Sequence, residues 1–181
     1  MRIRPVKLTD ADAILEIYSP YIHNTTVTFE TTVPTRQQFT DRIIACIERY
    51  PWLVAENMEG TVVGYAYATR HRDREAYQWC VESSVYVLEA YHGRGVAARL
   101  YEALLKILEQ CGYVNVYAGI TMPNAKSLSF HVKMGFKEVG IYHGIGYKLG
   151  SWHDVAWLVK TINPHGGHPN TPLHWSAGSF E

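Results

Sequence analysis

Gly93 and Gly95 stand one residue apart, between the apolar run Val85-Tyr86-Val87-Leu88 and Val96-Ala97-Ala98, which opens a long helical pattern. A strand, a glycine loop and a helix start, in that order, leave unpaired main-chain N–H groups at a helix N-terminus, where the helix dipole favours an anion. Glycine at these two positions admits backbone conformations that a Cβ would forbid and lets a phosphate come close. Arg94 and Arg99 add positive charge. Two other readings compete. The glycines can serve only to make a tight turn. Gly93-x-Gly95-x-x-Ala98 also fits a dinucleotide fingerprint, but that fingerprint calls for an acidic residue about 20 positions on, and the next strand ends in Ile120-Thr121-Met122.

Upstream, Glu82 lies in the run Trp79-Cys80-Val81-Glu82-Ser83-Ser84-Val85. Alternation puts Glu82 and Ser84 on one face of this strand and Val81, Ser83 and Val85 on the other. A carboxylate among such neighbours loses part of its solvent shell, which suits a proton acceptor; a structural ion pair or an edge-strand charge is the plainer alternative. The polar loop that holds Arg74 and Tyr77 is a candidate clamp, because a guanidinium can grip a carboxylate through two parallel hydrogen bonds. Phe29 and Glu30 are candidates to line the same pocket.

The elements that must position these residues are legible from periodicity. Residues 3–8 alternate as a strand, and Thr9 or Asp10 is expected to cap a helix using Ala13, Ile14, Ile17 and Tyr18. A Thr-rich stretch, 24–34, leads to a helix from Thr35 to about Arg49. Strands at 52–56 and 61–69 are joined by a turn at 57–60, a loop covers 70–75, and a strand runs over 79–87. A helix follows Gly95 to about Cys111, closed by Gly112. A strand at 114–120, a helix from Pro123-Asn124 to Met134, and strands at 136–142 and 152–161 complete the order. This pattern predicts a single α/β (α+β) domain over residues 1–162. Its mixed central sheet has about seven strands, antiparallel in the first half and parallel around the long helix, with helices on both faces. The tail, 163–181, is expected to be irregular or to pack on a neighbour. The spacing of its His165, His168 and His174 matches no standard zinc site.

His92-Gly93-Arg94-Gly95-Val96-Ala97 resembles the (Q/R)xxGx(G/A) signature of GNAT superfamily N-acetyltransferases, with Tyr91 or His92 replacing the usual lead residue. Residues 122–136 resemble the second signature of that superfamily: an Asn, a helix, and a turn ending in Gly-Phe. Residues 28–31, 74–87 and 146–155 are similar to its phosphinothricin and methionine sulfoximine acetyltransferase branch, and the likeness runs from about Ile3 to Val159. The resemblance implies a GNAT fold and acetyl-CoA as co-substrate, with no metal. It implies that the diphosphate sits on His92, Gly93, Arg94, Gly95, Val96, Ala97 and Ala98. The pantetheine arm would lie along Val85, Tyr86 and Val87, with Asn124 and Ser127 in reach. It implies that Glu82 takes the proton of the acceptor amine. His131 stands where most of the superfamily carries a tyrosine and becomes the candidate acid, with Tyr86 and Tyr142 as alternative donors.

Composition narrows the partners. Lys plus Arg and Asp plus Glu are 17 each, so the net charge is zero and offers no footprint for a nucleic acid or an anionic membrane. With 47% apolar and 19% charged residues the chain reads as globular. No apolar signal segment is seen in MRIRPVKLTD, and Cys46, Cys80 and Cys111 form no CxxC pair; both point to a reducing, cytoplasmic setting. The expected function is acetyl transfer to the amino group of a small, amino-acid-like molecule by a homodimer. Other amines (a polyamine, an aminoglycoside, a protein N-terminus) and a silent acetyl-CoA sensor are the alternatives.

Overall fold

A computed structural model describes residues 1–177. Seven strands form one sheet in the order β1-β2-β3-β4-β5-β7-β6. They are β1 (Arg2–Pro5), β2 (Trp52–Glu56), β3 (Val62–Arg70), β4 (Cys80–Val87), β5 (Asn115–Thr121), β6 (Lys137–Lys148) and β7 (Ser151–Thr161). The helices are α1 (Ala11–Asn24), α2 (Arg36–Ile47), α3 (Val96–Gln110) and α4 (Ala125–Lys133). The pairs from β1 through β4 are antiparallel, β4 and β5 are parallel, and β5–β7–β6 return to antiparallel. The expected mixed α/β architecture and its parallel step around α3 are therefore present.

Each face of the sheet carries its own core. α3 buries Val96, Leu100, Tyr101, Leu104, Leu105, Ile107 and Leu108, a stripe at helical spacing, against Leu53, Val63, Ala66 and Val116. Each fully buried Leu contributes about 1.5–3 kcal/mol. On the other face, Ile14, Ile17, Tyr18, Phe39 and Ile43 of α1 and α2 cover Trp52, Tyr65 and Tyr86. The aromatic rings there stack in series, with Trp52 to Tyr67 at 4.2 Å and Tyr65 to Tyr86 at 5.3 Å between centroids.

Three expectations change. The first strand stops at Pro5, a short turn over Leu8–Asp10 intervenes, and Asp10 does not cap α1 with its side chain. Its carboxylate instead accepts from the Lys7 N–H and pairs with the Arg4 guanidinium at 2.7 Å. Burial alone would raise the Asp10 pKa; these donors outweigh it and hold it low. Second, α2 ends at Ile47 rather than near Arg49. Third, the sixth strand runs to Lys148 rather than Tyr142. Gly144 and Gly146 read as breakers, yet the strand absorbs them in an irregular stretch of pairing between Tyr142 and Gly146. The tail is irregular through its described part and folds back on its own domain: Trp175 is buried in the α3-side core, and Leu173 N–H bonds to Cys111 O. Residues 178–181 of the expected tail lie outside the described residues.

Candidate active site

The parallel pairing of β4 with β5 covers only Cys80–Asn115, Val81–Val116 and Glu82–Tyr117. Beyond Glu82 the strands diverge. A cleft of about 1050 Å³ opens there, with Ser83 to Val87 on one wall and Ala118, Gly119 and α4 on the other. Leu88 N–H bonds to Val63 O, continuing the β3–β4 register in which Gly64 faces Val87. In an antiparallel ladder, residues two apart turn their main-chain groups the same way. Tyr86, Ser84 and Glu82 therefore bond to β3, while Val85 and Val87 turn theirs toward the cleft. The Val87 carbonyl is already occupied: Tyr21 Oη–H donates to it at 2.7 Å and His92 Nε2–H at 3.0 Å. The Val85 amide groups and the Val87 N–H are left for a ligand.

At the cleft's end, Gly93 and Gly95 have φ of +72° and +76°, in the left-handed region that favours glycine. Gly95 caps α3 without a side chain, and the first turn carries no acidic residue. Arg99 N–H is the first in the helix to bond back, to Gly95 O. The N–H groups of Val96, Ala97 and Ala98 are thus the orphan donors of a helix start. A Cβ at Gly93 or Gly95 would meet nothing within 4 Å, so the space in front of the loop is open. Free amides, a helix dipole and open space together fit a diphosphate. Arg94 stands aside, its guanidinium 5.2 Å from the Tyr91 ring and off the cleft lining.

Across the cleft, Asn124 caps α4 by accepting from Ser127 N–H at 3.0 Å, and both residues line the cleft. His131, one turn on, is buried. Its Nδ1–H donates to Ser127 O at 2.8 Å, so Nε2 is left to accept from Tyr101 Oη–H at 3.1 Å; Tyr101 meets Ser83 Oγ, also at 3.1 Å. Burial lowers the His131 pKa below its ordinary 6.5, against the raising effect of the Ser127 carbonyl. The ring is therefore neutral near pH 7 with both nitrogens engaged.

On the sheet face opposite α3, Glu82 Oε1 accepts from His71 Nδ1–H at 2.9 Å. The His71 ring lies flat on Tyr117, 4.3 Å away and 7° from parallel, with Trp157 edge-on at 5.8 Å. Trp157 Nε1, buried, has no hydrogen-bond partner among the described residues. Beside this face, Phe29 packs on Gly146, where any Cβ would collide with its ring, and Glu30 is held by Arg42 at 2.6 Å. Buried Lys148 fixes this loop by donating to Thr28 O at 2.7 Å.

Residues 3–157 match the family model described as an acetyltransferase (GNAT) domain. The chain belongs to the GNAT acetyltransferase family. It is 41% identical to the phosphinothricin N-acetyltransferase of Streptomyces viridochromogenes over 88% of this chain and 87% of that protein. To the L-methionine sulfoximine/L-methionine sulfone acetyltransferase of Pseudomonas paraeruginosa it is 32% identical, over 90% and 95%. A GNAT phosphinothricin acetyltransferase of Sinorhizobium meliloti, crystallised with AcCoA, superposes with a TM-score of 0.91 at 29% identity, covering 95% of this chain and 94% of that one.

Of the positions singled out in the sequence, the GNAT cleft gathers Val85, Tyr86, Val87, His92, Gly93, Gly95, Val96, Ala97, Ala98, Asn124, Ser127 and His131 into its lining. Glu82 stands where its walls part. Arg74 and Tyr77 lie exposed at a short turn outside that lining; exposed Phe29 and half-buried Glu30, in the segment after α1, are outside it too. Sequence reasoning missed Tyr21, which holds Val87 O, and Lys126 and Lys133, which line the cleft from α4. It also missed His71. The signal for Lys126 and Lys133 was present, since both lie inside the second signature. Among the described residues no cluster of His, Cys, Asp or Glu is placed to hold a metal, and no helix is long and apolar enough to cross a membrane.

Proposed function

We propose that this chain transfers the acetyl group of acetyl-CoA to the amino group of a small amino-acid-like molecule, of the kind named in its phosphinothricin and methionine sulfoximine relatives. The observation that carries this is the divergence of β4 from β5 immediately past Glu82, which sets free strand amides and a candidate base beside one another. Acetyl-CoA, when bound, supplies an acyl group activated as a thioester. The amides of Val96, Ala97 and Ala98 hold the diphosphate, with the Lys126 and Lys133 cations nearby. Val85 and the Val87 N–H align the pantetheine arm, and Asn124 and Ser127 face it. A main-chain N–H of this strand polarises the carbonyl as its oxygen gains charge. Glu82 accepts the proton of the amine. The proton for the departing thiolate is assigned to the Ser83–Tyr101 hydroxyls, oriented by the neutral His131 imidazole; as the C–S bond breaks, the vacated hydroxyl is refilled by the second N–H proton that the tetrahedral adduct loses. Arg74 and Tyr77, with Phe29 and Glu30, are assigned to the acceptor.

The free cysteines fit a cytoplasmic setting. A homodimer is supported by the edge strand β6 and the turn beyond it. They expose Val139, Ile141, Ile145, Tyr147 and Leu149, with Trp152 at the start of β7 beside them, an apolar surface that a monomer would leave wet. Residues 1–162 are taken as the catalytic domain and the described tail, through residue 177, as a segment that buttresses it.

Purified protein given acetyl-CoA and a panel of free amino acid analogues is expected to release thiol. Glu82→Gln should lower turnover about 100-fold while leaving acetyl-CoA affinity within about twofold. Turnover only with peptides or polyamines would exclude the small acceptor, and tight acetyl-CoA binding without turnover on any amine would favour a sensor.

A further inference from the structure

Glu82 alone is an under-determined base. Its side chain is about one-third exposed and swings on several torsions, so its carboxylate needs an external constraint to meet an amine in one geometry. The loop after β3 supplies it. Only 13% of the His71 side chain is exposed, and the ring is held flat on Tyr117 and edge-on to Trp157. A carboxylate can only accept, so the shared proton at 2.9 Å sits on His71 Nδ1. That leaves Glu82 Oε2 without a hydrogen bond among the described residues. We infer that His71 is the positioning residue of the base: its Nδ1–H fixes Oε1 so that Oε2 faces the acceptor, and the two side chains act as one proton-accepting unit. This deepens the acetyltransferase reading above and rests on it.

In the step itself, one N–H bond of the ammonium breaks and one O–H bond forms at Oε2. The nitrogen keeps the electron pair with which it attacks the acyl carbon. The His71 Nδ1–H bond to Oε1 persists throughout, which keeps the acceptor oxygen in place. The groups facing the imidazole are few: Glu82 from β4, the Tyr117 phenol from β5, and Trp157 from β7. On its own loop, Asp73 pairs with Arg70 at the end of β3, and Arg72 points to the Tyr142 hydroxyl. Glu82 is the one carboxylate bonded to the ring among the described residues, so the pairing dominates its proton placement.

Two measurements on the full chain test this. The first needs no turnover. Imidazole nitrogen spectra at alkaline pH should show neutral His71 carrying its proton on Nδ1, and Glu82→Leu should abolish that preference. A wild-type ring protonated on Nε2 overturns the inference. The second is kinetic. His71→Phe keeps the stacking on Tyr117 but removes the donor, and should lower kcat about 10- to 100-fold, shift the acid limb of the kcat/KM profile, and leave the KM for acetyl-CoA within about twofold. His71→Asn, whose amide N–H falls near the lost Nδ1–H, should restore much of kcat. In a Glu82→Leu background, His71→Phe should have no further effect. Unchanged kcat and pH profile in His71→Phe, beside an active wild type, overturns the inference and leaves the acetyltransferase reading standing. A wild type that acetylates no amine defeats that reading instead, and the nitrogen spectra still decide the pair.

Discussion

The loop assigned above to the diphosphate lines the cleft, whereas the side chains assigned to the acceptor gather outside that lining, around Glu82, and the two regions are assembled differently. Residues 92–98 are neighbours in the chain, and their property comes from backbone conformation: two left-handed glycines and three orphan amides. The acceptor face draws His71 from the loop after β3, Glu82 from β4, Tyr117 from β5, Trp157 from β7, and Phe29 from the segment after α1. Its property comes from side chains brought together by strand register. The first kind of site tolerates many side chains and few backbones; the second tolerates the reverse. On the assignment proposed above, the grip on acetyl-CoA and the choice of acceptor are set by separate parts of the chain.

The largest effect that would break this contrast is expected at Gly95. Gly95→Asp sets a carboxylate beside the orphan amides at the start of α3, where its charge opposes a diphosphate, and a Cβ at this left-handed position costs about 1–2 kcal/mol. The protein should stay folded while acetyl-CoA affinity, read by calorimetry, falls at least about 100-fold. A variant that binds acetyl-CoA normally would show that the loop is only a turn.

A smaller effect is expected on the acceptor side. Burial lowers the Lys148 pKa against the opposing charge of Glu30, and its ammonium ties Thr28 O to β6. Lys148→Met exchanges one charged hydrogen bond for apolar packing, so the net stability loss should be about 1 kcal/mol. The KM for the acceptor should rise several-fold as Phe29 and Glu30 lose their anchor, with acetyl-CoA affinity unchanged. Equal losses for both substrates would mean that the two regions are not separable.

How much of this was legible follows from the same contrast. The loop at 93–98, α3 and Asn124 at the start of α4 could be read because their signals are contiguous. Glu82 could be marked, because alternation assigns its face, but its partner could not: His71 reaches it only through the register of β3, β4 and β5. In the structure, the β3–β4 pairing of Arg70 with Val81 is what carries His71 to Glu82. The full length of β6 was hidden by Gly144 and Gly146, and the burial of Trp175 by the composition of the tail around it.

The smallest expected effect concerns His131, which belongs to neither group, being a buried side chain in the α4 wall of the cleft. Its folded-state pKa lies below the ordinary value of 6.5. The unfolded chain therefore takes up this proton first as pH falls. The stability it confers is complete above about pH 6.5 and is lost as pH drops through the folded-state value. Thermal melts from pH 7 to 5 should decline in the wild type and flatten modestly in His131→Gln. Identical pH slopes would show that the ring titrates freely.

The occupied carbonyl of Val87 makes the cleft a gauge. With Tyr21 and His92 already on that oxygen, a guest chain can dock on the strand only up to this residue. From Val87 back to Glu82 is five residues, or about 17 Å at the usual strand rise. A carrier with an arm markedly shorter or longer than this would still dock its anionic head but present its acyl carbon out of register with the carboxylate. On the assignment proposed above, this stop makes reach a criterion of donor choice, applied before any atom of the acyl group is inspected.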